Sequence, residues 1–122
     1  MDLDWQKDIY ENVRSGIVEL LILHLLSECD MYGYEIRQAL AVRTNHAFDL
    51  KDTALYGPLY RMSDRGLITS HKEMAGVKRF RVYYHIEKKG REYLAYGKEQ
   101  ISFVFSGIIS LFNWDGCNHC EQ

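Results

Sequence analysis

The sequence predicts a mainly α fold with one small β hairpin and a long C-terminal helix. Apolar residues recur at helical spacing up to position 65, where Gly66 follows as a helix stop. From Leu67 the apolar repeat changes to two residues, which is typical of strands, and it returns to helical spacing from about Lys88 to Phe112. A short helix that runs directly into a hairpin is the layout of a winged helix-turn-helix.

The length and composition suit one domain with one appended element. The chain has 122 residues, of which 47% are apolar, enough for a buried core. We predict a winged helix-turn-helix DNA-binding domain with an N-terminal helix at 1–87, a dimerisation helix at 88–114 and a flexible tail at 115–122. No signal peptide, transit peptide or 18-residue uncharged apolar run is visible, so we expect a cytoplasmic protein with no membrane partner.

Two helices are predicted before position 30. Trp5, Ile9 and Val13 are spaced for a short amphipathic helix, and Ser15 is a suitable cap for the next one. The stretch Ile17–Leu26 is apolar almost all round, with Glu19 near its first turn, which marks a helix buried on most of its circumference. We expect part of that helix to face another subunit.

A further helix is predicted from Met31 to Arg43, following a polar break. Its stripe is formed by Tyr32, Ile36 and Leu40. Gly33 near the start of a helix is costly unless a neighbour packs close to the backbone there. Cys29, in an apolar neighbourhood, is expected to be a small buried side chain, and residues 44–51 are expected to form a loop.

The helix predicted at 52–65 has two distinct faces. Leu55, Leu59 and Met62 recur at helical spacing and must face the core. Pro58 should bend the helix, because it lacks the backbone N–H that would bond to residue 54. The opposite face combines small residues with side chains that form hydrogen bonds: Thr53, Ala54, Gly57, Tyr60, Arg61 and Asp64.

The hairpin has an apolar and a basic face. One strand covers residues 67–74, the tip lies at 75–78, and the returning strand ends near Ile86. Lys78, Arg79 and Arg81 lie at the tip and on the outer face. Such a basic wing can lie along phosphates or enter a minor groove. The alternative is a charged edge that discourages strand addition.

Charge is distributed unevenly along the chain. The net charge is −2, yet residues 61–91 contain nine basic and three acidic residues, which makes that segment +6 and the remainder −8. A local positive field is what contact with phosphates requires, whatever the total charge. The alternative interpretation is an ordinary solvated charged face.

The C-terminal helix carries an apolar seam with alternating steps of three and four residues. In a monomer it would be an exposed apolar patch, so we predict a homodimer; the alternative is docking onto its own domain. The seam residues are Leu94, Gly97, Ile101, Val104, Ile108 and Leu111. The residues predicted at the dimer interface are Ile17, Leu21, Leu94, Ile101, Val104, Ile108 and Leu111.

Three motifs together resemble the PadR family of bacterial transcriptional regulators, in its short subtype with a single C-terminal helix. They are the segments Tyr32–Ile36, Leu55–Ile68 and Arg81–Gly90. The resemblance implies a homodimeric winged helix that represses transcription at palindromic operators, with Tyr34 and Tyr56 beside DNA phosphates. Two departures leave the operator sequence open. Gly57 stands where the family commonly has proline, and Glu87 replaces a threonine before the terminal helix.

The candidate DNA-binding residues fall into two groups. Those predicted to reach bases or the groove floor are Thr53, Ala54, Tyr60 and Arg61. Those predicted to position phosphates are Tyr34, Tyr56, Lys78, Arg79 and Arg81. The aromatic residues Trp5, Phe103 and Phe105 could line a pocket for a small apolar or aromatic effector that releases the DNA, or they could simply be core.

Two other functions are open at this stage. The protein could be a winged-helix module that binds an acidic protein partner, or a thiol-responsive regulator acting through Cys117 and Cys120. His119 lies between those cysteines, but a tetrahedral zinc site needs four ligands, so we predict no metal and no cofactor. Histidines are scattered singly and no nucleophile-base spacing is visible, so we do not expect an enzyme.

Overall fold

Four helices and three strands follow one another along residues 17–114, the part of the chain that this computed structural model describes. They are α1 (Val18–Glu28), β1 (Met31–Tyr32), α2 (Gly33–Arg43), α3 (Asp52–Asp64), β2 (Ile68–Gly76), β3 (Arg79–Ile86) and α4 (Lys88–Phe112). Within these residues no helix has the length and apolar character needed to cross a membrane. The helix predicted at 1–13, the Ser15 cap and the tail at 115–122 lie outside the described residues.

The core lies between α1, α2, α3 and the base of the hairpin. On α3, the side chains of Leu55, Leu59 and Met62 are at most 1% exposed, which confirms the predicted inner face. Burial of this apolar surface is the main force that holds α3 against α1. The largest fully buried side chains are Ile22, Leu23, Leu26, Ile36, Leu55, Leu59, Met62, Ile68 and Ile86.

The ends of α3 are set by local backbone chemistry. Gly66 has a φ of +76°, a conformation that glycine adopts without the steric cost of a Cβ, so the helix stops just before it. Pro58 lies inside α3 and is buried. The bend that we predicted at Pro58 stays a prediction.

The sheet is antiparallel with the strand order β1-β3-β2. β2 and β3 pair from Ile68 opposite Ile86 up to Gly76 opposite Arg79, and they confirm the predicted hairpin. The prediction that placed Met31 and Tyr32 in a helix was wrong, because their backbones pair with β3. Tyr32 then caps α2, and its N–H donates to the Glu35 carboxylate at 3.2 Å.

Most of the hairpin projects beyond the core. Ile68 and Ile86 at its base are buried, whereas Phe80 is 63% exposed and Val77 at the turn is 91% exposed. The apolar face that the alternation predicted is therefore packed only near the base. This extension carries the basic tip well away from the helices.

The prediction that Cys29 is buried was wrong, because its side chain is exposed. It is the residue that ends α1, where its backbone is extended and its N–H bonds to the carbonyl of Leu25. An apolar neighbourhood in the sequence did not reveal that the chain leaves the core at this point.

The first half of α4 packs against the domain and the second half does not. A Cβ at Gly90 would lie 2.2 Å from the carbonyl oxygen of Leu67, and one at Gly97 would lie 2.4 Å from Leu20 Cδ2. These close approaches hold the start of α4 against the hairpin base and α1. Glu87 precedes the helix without a side-chain cap bond, and its carboxylate instead accepts from the Thr69 hydroxyl at 2.7 Å.

Candidate nucleic-acid interface

The outer face of α3 presents a mixture of exposed and half-buried residues. Thr53 and Arg61 are exposed, and Tyr60 is 74% exposed. Ala54 is half-buried and packs against the core cluster. Of the four residues predicted to reach bases, three therefore have side chains open to solvent, and Ala54 has less surface to offer.

Three adjoining clefts connect most of the predicted side chains into one surface. Tyr34, Tyr56 and Arg81 line the first, of about 300 Å³, between the start of α2 and the hairpin. Tyr56 and Tyr60 line the second, and Tyr60 and Arg61 line the third. Because Tyr56 and Tyr60 each line two clefts, the three clefts adjoin one another in a row from α2 to the end of α3. The second and third clefts also include Ser63, Ser70, Glu19, Asp64 and Arg65.

The tyrosines on this surface are held in place by neighbouring groups. A Cβ built at Gly33 would lie 2.8 Å from Tyr56 Oη, which confirms that a neighbour packs close to this glycine. Tyr34 Oη accepts a hydrogen bond from Gln38 Nε2 at 2.8 Å, one helical turn further on. Two phenols are thereby fixed at the start of α2, where helix N–H groups favour anions.

The three basic residues of the hairpin lie in two different settings. The guanidinium carbon of Arg81 lies 4.4 Å from the ring centroid of Tyr32, a cation–π contact that fixes its direction. Lys78 lies in the turn and Arg79 begins β3. No ion-pair partner for either of these two side chains is found within residues 17–114, so both cations are free to meet phosphates.

A carboxylate from α1 reaches the end of α3. Arg61 Nε donates to Glu19 Oε2 at 3.0 Å, and Arg65 donates to the other oxygen of the same carboxylate. The guanidinium of Arg65 also lies 5.5 Å from the ring centroid of Tyr93 on α4. Partial burial lowers the pKa of Arg65, but attraction to Glu19 and the hydrogen bond with it prevail and raise that pKa above its ordinary value.

The sequence prediction included Arg61 as a base contact but neither Glu19 nor Arg65. Glu19 precedes Arg61 by 42 residues and Arg65 by 46. A pair so distant in sequence leaves no periodic pattern from which it could be predicted. Because of this ion pair, the exposed side chain of Arg61 already has a hydrogen-bond partner within its own chain.

Comparison with known proteins decides the family. Residues 22–96, more than half of the chain, match the PadR-like family of transcriptional regulators. The chain belongs to this family. The resemblance drawn from the three sequence motifs is confirmed, and the family makes the chain a DNA-binding transcriptional regulator.

Solved structures of transcriptional regulators share the fold over most of the chain. A transcriptional regulator from Clostridium thermocellum is 31% identical, with a TM-score of 0.76 over 84% of this chain and 99% of that one. A PadR family regulator from Eggerthella lenta is 25% identical, with a TM-score of 0.77 over 92% and 96%. These neighbours confirm the predicted winged helix with its long C-terminal helix.

Two further relatives extend the comparison. An uncharacterised protein from Lysinibacillus sphaericus is 32% identical over 71% of this chain and 80% of its own length. Bacillus subtilis PadR, solved in complex with operator DNA, is 24% identical with a TM-score of 0.60 over 65% of this chain and 45% of that one. At that identity the likeness concerns the fold alone.

The apolar residues predicted at a dimer interface occupy different environments in this PadR-like chain. Leu94 is 6% exposed and belongs to the core of its own chain, which leaves it little surface for a second subunit. Ile17, Leu21 and Ile101 are half-buried. The residues further along α4 are exposed: Val104 by 50%, Ile108 by 40% and Leu111 by 72%.

The predicted effector residues are only partly described. Phe103 is 77% exposed and Phe105 is 45% exposed, both on the second half of α4. Trp5 lies outside the described residues, as do Cys117, His119 and Cys120. Within residues 17–114, no group of three or more His, Cys, Asp or Glu side chains is placed to hold a metal ion.

Proposed function

We propose that this PadR-like regulator is a homodimeric repressor of pseudo-palindromic operators. In each subunit α3 enters the major groove and the hairpin follows the phosphate backbone. Two copies related by a two-fold axis meet successive major-groove faces about one DNA turn apart, which requires a repeated half-site. The observation that carries the proposal is the row of adjoining clefts from Tyr34 to Arg61, which Arg81 of the hairpin also lines. Lys78 and Arg79, which have no ion-pair partner within residues 17–114, lie further out on the same hairpin.

The side chains divide by what they can contact. Thr53, Tyr60 and Arg61 have the hydrogen-bonding groups needed to read base edges, and Ala54 lets the helix backbone come close to the groove floor. The predicted phosphate contacts combine two phenols with three cations of the hairpin. They are Tyr34, Tyr56, Lys78, Arg79 and Arg81.

Dimerisation is supported by the second half of α4. Its large apolar side chains lie exposed along a helix that extends past the domain, and a patch of this kind marks an interaction surface. The half-buried Ile17, which directly precedes α1, and Leu21 on α1 provide apolar surface for the same contact. We propose that Ile101, Val104, Ile108 and Leu111 pair with these residues of a second copy.

A fluorescence titration with random duplex DNA at low and moderate salt tests the proposal. Binding through phosphates should weaken steeply as salt rises, because each contact releases condensed counterions. Lys78→Ala should weaken binding to all duplexes alike and flatten the salt slope, whereas Arg61→Ala should reduce sequence preference. Equal loss on specific and random duplexes for Arg61→Ala would remove the base-reading role.

The rival function has a distinct outcome in the same titration. A winged-helix module that binds an acidic protein would show absent or salt-insensitive DNA binding. The cations Lys78 and Arg79 suit either DNA or an acidic protein, so the salt dependence of DNA binding is the measurement that separates the two functions.

Release of the DNA by a small apolar or aromatic effector forms the regulatory part of the proposal. Phe103 and Phe105 lie on the part of α4 expected at the dimer interface, with Trp5 as their predicted neighbour. An effector would act by preferring one spacing of the two hairpins, so its effect depends on its different affinities for the two states. If no aromatic compound in a screen changes DNA affinity, this part of the proposal fails.

A further inference from the structure

Glu19 is a partly buried carboxylate that engages two arginines at the end of α3. Its side chain is 20% exposed, against 59% for Arg61 and 45% for Arg65. The two carboxylate oxygens are divided between them: Oε2 accepts from Arg61 and Oε1 accepts from Arg65. One negative charge therefore holds both guanidinium groups against the body of the domain.

The same donors would serve DNA. A guanidinium binds a phosphate or the O6 and N7 acceptors of guanine through the N–H groups that bind a carboxylate. While Arg61 is paired with Glu19, its Nε–H is not available to a nucleic acid. Releasing it deprives a partly buried carboxylate of one of its two partners, which is unfavourable because the freed oxygen regains only part of its contact with water. A ligand with several well-placed acceptors compensates for that loss better than a single scattered contact does.

We propose that Glu19 sets the DNA specificity of this protein by withholding Arg61 and Arg65 from random phosphates. A random duplex offers scattered single contacts that do not displace the carboxylate. A matching operator offers paired acceptors in fixed positions, and there the arginines exchange Glu19 for DNA. Glu19 is thus a positioning residue that disfavours wrong partners. The inference rests on the proposed DNA binding.

Asp64 provides a matched control for the change in charge. It lines the same cleft as Glu19, Arg61 and Arg65, and it is exposed. No hydrogen bond or ion pair of its side chain is found within residues 17–114. Asp64→Asn therefore removes the same charge from the same neighbourhood without releasing an arginine.

The experiment measures binding of the full chain to a random duplex by fluorescence anisotropy across a series of salt concentrations. Glu19→Gln should raise the affinity on the order of tenfold at low salt and steepen the logarithmic salt slope by about 0.9 for each released arginine. Asp64→Asn should change the affinity by less than about twofold and leave the slope unaltered, because no phosphate contact is added. Equal effects of the two substitutions would overturn the inference.

Two additional variants test whether the effect of Glu19→Gln acts through Arg61 and Arg65. Glu19→Ala removes the carbonyl that glutamine keeps as an acceptor, and it should act in the same direction as Glu19→Gln, with thermal melts confirming that both are folded. When Arg61 and Arg65 are both replaced by alanine, Glu19→Gln should no longer raise the affinity for DNA. If it still raises that affinity by the same factor, the change in charge acts at long range and the inference is wrong. A wild-type protein that binds no duplex would instead refute the proposed function.

Discussion

Tyr56 on α3 packs its phenol oxygen directly over the backbone of Gly33 at the start of α2. A Cβ at position 33 would lie 2.8 Å from Tyr56 Oη, closer than side chains normally approach. The absence of a side chain on Gly33 therefore fixes where α3 places one of its exposed phenols. This contact joins the two helices of the helix-turn-helix at the surface that we propose faces DNA.

Gly33→Ala should destabilise the protein by about 1 kcal/mol and weaken duplex binding, because the new methyl displaces the Tyr56 ring. In a Tyr56→Phe background the clashing oxygen is absent, and the nearest remaining ring atom lies 3.4 Å away. There the same substitution should be neutral or stabilising by about 0.5 kcal/mol, since alanine favours helices over glycine. Urea denaturation of the wild type, Gly33→Ala, Tyr56→Phe and the double variant measures these changes in the free energy of unfolding. If Gly33→Ala lowers the free energy of unfolding equally with Tyr56 present and in the Tyr56→Phe background, the close contact between Gly33 and the Tyr56 oxygen is refuted.

Gly90→Ala should be among the most damaging glycine substitutions in the chain. Its Cβ would meet the Leu67 carbonyl oxygen at 2.2 Å, and a backbone atom cannot move aside as a side chain can. We expect a loss of about 3 kcal/mol in the free energy of unfolding. Gly76→Ala in β2 is the control, because its Cβ meets nothing within 4 Å and it lies outside the proposed dimer interface, and it should change stability by less than about 1 kcal/mol. Similar thermal shifts for both would refute this packing.

Acid should weaken the link between the ends of α1 and α2. Arg43 donates to both carboxylate oxygens of Glu28, at 2.7 and 3.0 Å, and this hydrogen bonding lowers the pKa of Glu28. A carboxylate with a lowered folded-state pKa contributes stability above its unfolded pKa and loses it as the pH falls through the folded value. The difference in stability between wild type and Glu28→Gln should therefore shrink from about pH 5 to about pH 3.

Denaturation at several pH values measures that difference. Glu99→Gln is the control, because Glu99 is exposed on α4 and has no ion pair within residues 17–114. Its difference from wild type should stay nearly constant over the same range. A constant difference for Glu28→Gln as well would show that the Arg43 pair contributes nothing that depends on pH.

Ile108→Asp should convert the proposed dimer into monomers at micromolar concentration. The side chain is 40% exposed in one chain, and a carboxylate buried against a second copy would lack a partner. Gln100→Asp introduces the same charge at another exposed position on α4 and should leave the dimer intact. Sedimentation equilibrium reads the mass directly. A wild-type protein with the mass of a single chain would remove the dimer from the proposal.

The parts of the fold that were predictable are those with strong local patterns. The inner face of α3 follows from the spacing of Leu55, Leu59 and Met62, and the hairpin follows from the change to alternation after Gly66. The limits of α4 were predicted correctly, because its apolar seam is long. In each of these elements many residues follow the same period, so the pattern rarely arises by chance and identifies the element.

Other features depend on contacts between distant segments. β1 has only two residues, too few to show alternation, and it exists because β3 provides its partner. The ion pairs of Glu19 with Arg61 and Arg65 link α1 to the end of α3, and no periodicity in the sequence encodes them. The exposure of Cys29 depends on where the chain leaves the core. These relations are determined by three-dimensional packing and not by neighbours in sequence.

Selection of bound sequences from a random duplex pool tests the central claim most directly. A homodimer that inserts α3 of each subunit into the major groove should enrich two inverted half-sites with centres about 10 base pairs apart. Arg61→Ala should relax the preference at defined positions within each half-site. Enrichment of a single unrepeated site, or no enrichment over the starting pool, would contradict the account of this protein as a dimeric operator-binding repressor.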